Sequence, residues 1–334
     1  MIQKSKREQK EGKNQIAVQT GKRYIIRNHG SRDDISAMAG VPELRYEKTR
    51  EESEMSNKLP VGIQVYGLRD LLEKTPDRFP EVMQSIKDMG YDGVELAGLY
   101  GLEPEYIKET LDRIGLNPIS AHVPLVDMMA DPQGIADTYK KIGVKYIAVP
   151  YLPEEYRPNV SAEGYKKVIE EMTRIGRIFK ENGIKLEYHN HDFEFVTMPD
   201  GSFCFDDIYT QIPEDLLKVE PDLCWIKVAG QKPVEYLKKY GARCEVVHLK
   251  DFIKEGNPKN MYKLIGTTVK EEEGDDGIFE FRPVGFGMQI WEPILDTCTE
   301  IGAKWVVVEQ DEHYSLDPLE AARRSREYLK ILGW

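Results

Sequence analysis

From Leu59 onward the chain repeats one unit: a short run of β-branched or aromatic residues, then a longer stretch with helical period. The runs are Val61–Tyr66, Gly93–Leu96, Pro118–His122, Lys145–Pro150, Ile184–His191, Leu217–Trp225, Glu245–Lys250 and Lys304–Glu309, numbered strands 1 to 8. Helices are expected over Asp77–Met89, Glu105–Ile114, Gly134–Ile142, Glu163–Asn182, Pro233–Tyr240, Ile290–Ile301 and Pro318–Leu332. Four joins share a signature, with Gly90, Gly143, Gly183 and Gly302 each just past the last apolar helical residue and a strand close behind. A glycine there can turn left-handed and end the helix. Eight such units with short joins predict an α/β protein, a closed parallel (β/α)8 TIM barrel, over residues 59–334. An open doubly wound sheet is disfavoured, because no Gly-x-Gly-x-x-Gly follows strand 1 and no phosphate-loop pattern occurs.

Two segments fall outside the repeat. Residues 1–58 are dense in Lys, Arg, Glu and Gln with little periodicity, and are expected to be disordered or loosely attached. Their acidic residues, such as Asp33, Asp34 and Glu51, argue against a targeting peptide. The join after strand 7 is long, from Phe252 to Met288, and includes an acidic run from Glu271 to Asp276. Loops that follow barrel strands emerge at the face where active sites are built, so this one is expected to cover a substrate, its acidic half being a solvated insertion.

Charge and cysteine usage exclude several classes of partner. The net charge is −12, and residues 1–58 carry 13 Lys and Arg against 9 Asp and Glu, which concentrates the negative charge in the barrel. Phosphate backbones are bound through counterion release by Lys and Arg, so nucleic acid is not an expected partner. Apolar runs such as Trp305–Val308 fall far short of the roughly 18 residues a membrane span requires. Cys204, Cys224, Cys244 and Cys298 are widely spaced, with no Cys-x-x-Cys pair and no apolar signal segment ahead of them. A reduced, cytoplasmic location is the expectation.

Side chains at the C-terminal ends of barrel strands converge on one pocket. Strand 5 ends in Glu187-Tyr188-His189-Asn190-His191, strand 6 carries Asp222, strand 7 carries His248 and Lys250, and strand 8 ends in Glu309. Charges in such apolar surroundings are costly unless paired or metal-bound. A mixed imidazole and carboxylate set suits one divalent ion, Mn²⁺, Co²⁺ or Zn²⁺, with Mg²⁺ a poorer match. The bland alternative is an ion-pair network with Lys250 and Lys227.

Residues 60–334 resemble the sugar phosphate isomerase/epimerase family of the xylose isomerase-like barrel superfamily, which includes inosose dehydratases and ketose 3-epimerases. The resemblance rests on Gly62-Ile63-Gln64-Val65-Tyr66-Gly67-Leu68-Arg69, Tyr188-His189-Asn190-His191-Asp192-Phe193-Glu194-Phe195, Glu220-Pro221-Asp222-Leu223-Cys224-Trp225, Val247-His248-Leu249-Lys250-Asp251 and Val308-Glu309-Gln310-Asp311. It implies one metal ion held by residues of strands 5 to 8. Asp222, His248 and Glu309 match three of those positions. At the fourth, where the family has glutamate, this chain has His189, with Glu187 and Glu194 as rivals. The epimerases resemble one another in using the strand 5 and strand 8 glutamates as an acid/base pair. Here that work is assigned to Glu309 with His191 or Lys250. The activity implied is isomerisation or epimerisation of a keto sugar or cyclitol through an enediolate. Dehydration by a lyase is the alternative, and a catalytically inactive barrel that binds a sugar or a partner is a third reading. A homo-oligomer is implied by the resemblance alone.

Other strand-end residues are candidates for the sugar pocket: Gln64, Tyr66, Glu95 and His122 as hydrogen-bonding groups, Trp225 as an aromatic face, and Arg282 as a cation for a carboxylate or phosphate. Their structural alternatives are core packing for Trp225 and Tyr66, pairing with Arg69 for Glu95, a hydrogen-bonded core histidine for His122 and a solvated surface position for Arg282. A nuclease branch of the superfamily uses three metals and more histidines. This chain has six, His29, His122, His189, His191, His248 and His313, and places Trp225 where that branch has histidine. The nuclease reading is therefore set aside.

Overall fold

The eight strands lie at Val61–Gln64, Gly93–Ala97, Asn117–His122, Tyr146–Val149, Lys185–His189, Lys218–Glu220, Val246–Leu249 and Trp305–Val308. This computed structural model describes residues 58–256, 258, 261 and 277–334, and the backbone of residues 16–19 and 22–25. All ladders are parallel and run in the strand order 6-5-4-3-2-1-8-7. The remaining seam, between strands 6 and 7, is held by single bridges at Val219↔Cys244 and Asp222↔His248. Pro221 accounts for the interruption: it has no N–H to donate, so strand 6 stops at Glu220, and the Asp222 N–H turns to Asn190 Oδ1 at 3.0 Å. Strand 6 is thus shorter than its apolar run suggested. Asp222 caps a short helix, Leu223–Val228, that carries Trp225.

The long helices match the periodic segments to within two residues. They are Phe79–Met89, Pro104–Ile114, Pro132–Ile142, Ala162–Glu181, Pro233–Tyr240, Trp291–Glu300 and Pro318–Ile331. The helix linking strands 5 and 6, Cys204–Gln211, was not legible as a period because it spans barely two turns. Gly90 and Gly143 close their helices with φ of 92° and 95°, as their position in the joins required. Helix Ala162–Glu181 passes the segment that leads into strand 6 at Gly176, where a Cβ would sit 2.4 Å from the Leu216 carbonyl oxygen. Backbone cannot swing aside as a side chain does. Gly176→Ala is therefore expected to destabilise by about 1–3 kcal/mol despite alanine's better helix propensity. A urea midpoint equal to or above the wild type would refute this.

The chain divides into two units, Met1–Lys58 and Leu59–Trp334. In the first, Ile16–Gln19 and Lys22–Ile25 pair as antiparallel strands, where the sequence showed no strand pattern. The expected disorder of the rest of residues 1–58 falls outside the described residues, as does the acidic run 271–276. The long join after strand 7 contains an antiparallel hairpin, Asp251–Glu255 with Ile278–Arg282. Its Phe252, Phe279 and Phe281 form a cluster with Trp225 and Cys224. All four cysteines are buried and free. Among the described residues no helix is long and apolar enough to cross a membrane.

Candidate functional site

Parallel pairing puts inward-facing residues of neighbouring strands side by side, and the register aligns Gln64 with Glu95, His189 with Glu220 and Asp222 with His248. One ligand atom from each of His189, Asp222, His248 and Glu309 lies within 4.8 Å of the others. His248 Nδ1 is 2.8 Å from Glu309 Oε2, and His189 Nε2 is 3.6 Å from Asp222 Oδ2 and 3.8 Å from Glu309 Oε2. Asp222 accepts the Cys224 and Trp225 backbone N–H groups at Oδ1, while its buried Oδ2 has no hydrogen-bond partner. A buried oxygen without a hydrogen bond, 3.5 Å from the Lys250 ammonium and beside two imidazoles and a second carboxylate, belongs to a donor set that suits a divalent cation. The residues present fit a metal ion.

The two rivals for the strand 5 position stand apart from this group. Glu187 lies deeper on strand 5, with both carboxylate oxygens buried and without a hydrogen-bond partner. Burial, reinforced by Glu220 and Glu95, raises its pKa well above the carboxylate range, so it is held as a neutral acid. Glu194 sits on the turn Phe193–Phe195 and accepts the Tyr188 hydroxyl and, at 2.8 Å, the His191 N–H. Burial pushes it up to about 7.

A cavity of about 400 Å³ opens onto this group, lined by Gln64, Tyr66, His122, Tyr151, His189, His191, Lys250, Glu309 and Asp311, with Pro124 and Pro150 on its apolar side. Lys250, 1% exposed, pairs with Asp311 at 2.6 Å, Glu309 at 3.3 Å and Asp222 at 3.5 Å. Burial alone would lower its pKa, but those three carboxylates raise it, so it stays an ammonium. Glu309 is pulled the other way: burial would raise it, and Lys250, His248 and His189 hold it well below the usual range. His189 falls to about 4 and His191 well below its ordinary value, in both cases chiefly through burial, so both rings are neutral. Gln64 donates to Glu309 Oε1 at 3.1 Å and lies 3.2 Å from His122 Nδ1.

Three expected pocket residues lie elsewhere. Glu95 is fully buried beneath the cavity, where it meets His248 and His122 rather than Arg69; Arg69 pairs with Glu312 at 2.6 Å. Trp225 is fully buried behind His191, with ring centroids 5.2 Å apart, and stacks on Phe279. Its indole braces His191 instead of offering a face to a ligand. Arg282 pairs with Glu280, lies over the Tyr314 ring, and lines a separate cavity with Phe286 and Arg324. The two-residue alternation of the strand explains this: Phe279 and Phe281 pack against Trp225, so Glu280 and Arg282 face the opposite side. In the described residues the hairpin supports Trp225, and Phe281 lies 4.9 Å from the Lys250 ammonium.

Glu220, Asp311 and Tyr151 were not singled out from the sequence. The first two had a signal, because each lies two residues from a candidate ligand and so shares its face. Glu220 forms a second group with His122, His189 and His248.

A model of the xylose isomerase-like TIM barrel family matches residues 83–332. An inosose dehydratase of Clostridium beijerinckii is 24% identical over 278 residues, 75% of this chain and 89% of that protein. A sugar phosphate isomerase/epimerase of Parabacteroides distasonis superposes with a TM-score of 0.65 at 22% identity, over 81% of this chain and 93% of its own. A xylose isomerase-like TIM barrel protein from Mycobacterium smegmatis, in complex with magnesium, does so with a TM-score of 0.60 at 16% identity, over 82% and 96%. These structural likenesses establish a shared fold. With the family match spanning three quarters of the residues and the strand order closing a parallel barrel, the chain belongs to the xylose isomerase-like TIM barrel family.

Proposed function

We propose that this chain is a divalent-metal-dependent enzyme that removes the proton beside the carbonyl of a keto sugar or keto cyclitol. Isomerisation or epimerisation follows if the proton returns, and dehydration if the β-hydroxyl leaves. The observation that carries the proposal is the convergence of His189, Asp222, His248 and Glu309, with His189 and Glu309 lining the cavity and Asp222 and His248 buried behind them. Those four residues would hold the ion. A bound Mn²⁺, Co²⁺, Zn²⁺ or Mg²⁺ would draw electron density from the carbonyl and acidify the neighbouring C–H.

The side chains then divide the work. Glu309, kept ionised by Lys250, is the base. Lys250 is the acid that protonates a leaving hydroxyl or returns a proton. Tyr66, His191 and Tyr151 line the cavity with hydrogen-bonding groups for sugar hydroxyls, while Gln64 and His122, whose polar atoms are bound to Glu309, Glu95, Glu220 and each other, shape its wall. The position of His189 favours dehydration as the second reading. Among the described residues that line the cavity, the carboxylates are Glu309 and Asp311, both beside Lys250, and none of these residues supplies a carboxylate to re-protonate the other face of the carbon. The likeness to inosose dehydratases points the same way.

The test is NMR of candidate keto sugars and inososes incubated with the Mn²⁺-loaded protein in D₂O. Deuterium at the carbon beside the carbonyl is expected. A product short of one water identifies the lyase, and an epimer or aldose identifies the isomerase. Loaded protein that exchanges no C–H in any of these compounds would overturn the proposal.

A further inference from the structure

Each imidazole of the candidate metal group has a second nitrogen facing away from it, toward a deeper layer of buried carboxylates. His248 Nε2 lies 2.9 Å from Glu95 Oε1, and His189 Nδ1 lies 3.2 Å from Glu220 Oε2. Glu95 and Glu220 are both fully buried. Other groups also contact them: Glu95 accepts the Ser120 hydroxyl at Oε2, and Glu220 Oε2 lies 2.8 Å from His122 Nε2 and 3.5 Å from His248 Nε2. Both rear ring nitrogens and Glu95 Oε1 lack an aligned hydrogen bond although they sit at contact distance. A ring that gives one nitrogen to a cation must carry its proton on the other, and a carboxylate there fixes the tautomer and the ring plane.

We infer that Glu95 and Glu220 are positioning residues for the metal site proposed above, on which this inference rests. Glu95 accepts the Nε2–H of His248, so that Nδ1 faces the ion. Glu220 accepts the Nδ1–H of His189, so that Nε2 faces the ion. His122 lies between the two carboxylates, 3.1 Å from Glu95 and 2.8 Å from Glu220, and shares their charge. The two rings therefore present opposite nitrogens to one ion, because their carboxylates stand on opposite ring positions. The second group, His122, His189, Glu220 and His248, is then the back of the first and not a separate binding site.

The experiment uses the full chain and the metal alone. Zn²⁺ titration of the wild type by calorimetry should give one ion per chain. Glu95→Gln and Glu220→Gln should each weaken that affinity by about 10- to 100-fold without changing the stoichiometry. Histidine ¹⁵N spectra of the Zn²⁺-loaded wild type should show His248 protonated at Nε2 and His189 protonated at Nδ1, with the fixed tautomer lost at the affected ring in each variant. Two ions per wild-type chain, or either loaded ring without a proton on its rear nitrogen, would overturn the inference. Unchanged affinity in both variants would do the same. The wild-type spectrum decides even if a variant fails to fold. A wild type that binds no divalent ion would instead defeat the metal site itself.

Discussion

Glu309→Gln is expected to lower turnover on the reactive keto sugar by roughly 10³-fold, within the range lost when a general base is removed. The substitution preserves volume at a residue 4% exposed, so the barrel end keeps its shape. What changes is charge. Glu309 Oε2 faces His248 Nδ1 at 2.8 Å and the Lys250 ammonium at 3.3 Å, while Oε1 accepts from Gln64. An amide cannot take a proton from carbon, and an NH₂ turned toward Lys250 sets donor against donor. The remaining His189, Asp222 and His248 should retain the ion with reduced affinity. The measurements are initial rates by NMR beside metal content after dialysis. Turnover within tenfold of wild type would show that Glu309 is not the base, and full activity with full metal content would remove it from the site.

Asp251→Ala should be the most destabilising single change in the barrel mouth, by about 3–5 kcal/mol. The Asp251 carboxylate is fully buried and accepts five donors: the backbone N–H groups of Phe252, Gly285, Gly287 and Gln289, at 3.0–3.1 Å, and the Trp291 indole at 3.0 Å. Four of these lie more than 30 residues away, so one side chain ties the end of the long join back to strand 7. Gly287 passes so close that a Cβ there would lie 2.2 Å from Asp251 Oδ1. Truncation strands the donors in a region water reaches poorly. Urea unfolding should report the loss, with Lys250 next in sequence and its ion pairs disturbed as well. A loss below 1 kcal/mol would mean that water or a rearranged loop replaces the carboxylate.

How far the site could be read from the sequence depended on what each inference needed. Asp222, His248 and Glu309 needed only their places at strand ends, whereas choosing His189 over Glu187, which shares its face, also needed the family resemblance; the tertiary structure brings the four together. Glu220 needed a partner. Alone in a run of apolar residues it looks like any strand carboxylate, and its neighbours, His122 and His189, come from positions 98 and 31 residues earlier. Trp225 was misplaced because its apolar run continued past Pro221, whereas the chain had already left the sheet and begun a helix capped by Asp222. Arg282 was misplaced because a loop's length says which face it leaves but not which side of its returning strand each residue takes.

Local chemistry therefore determined the barrel. Periodic helices, glycine stops and eight apolar runs are properties of residues a few positions apart, and right-handed parallel crossovers leave little choice in how such units close. Only the tertiary structure decided which buried groups face one another, which carboxylates stay ionised, and which aromatic ring backs a histidine instead of meeting a ligand. Those outcomes follow from distances and burial between strands far apart in the chain, and the free energy of a buried charge depends on nothing else so strongly.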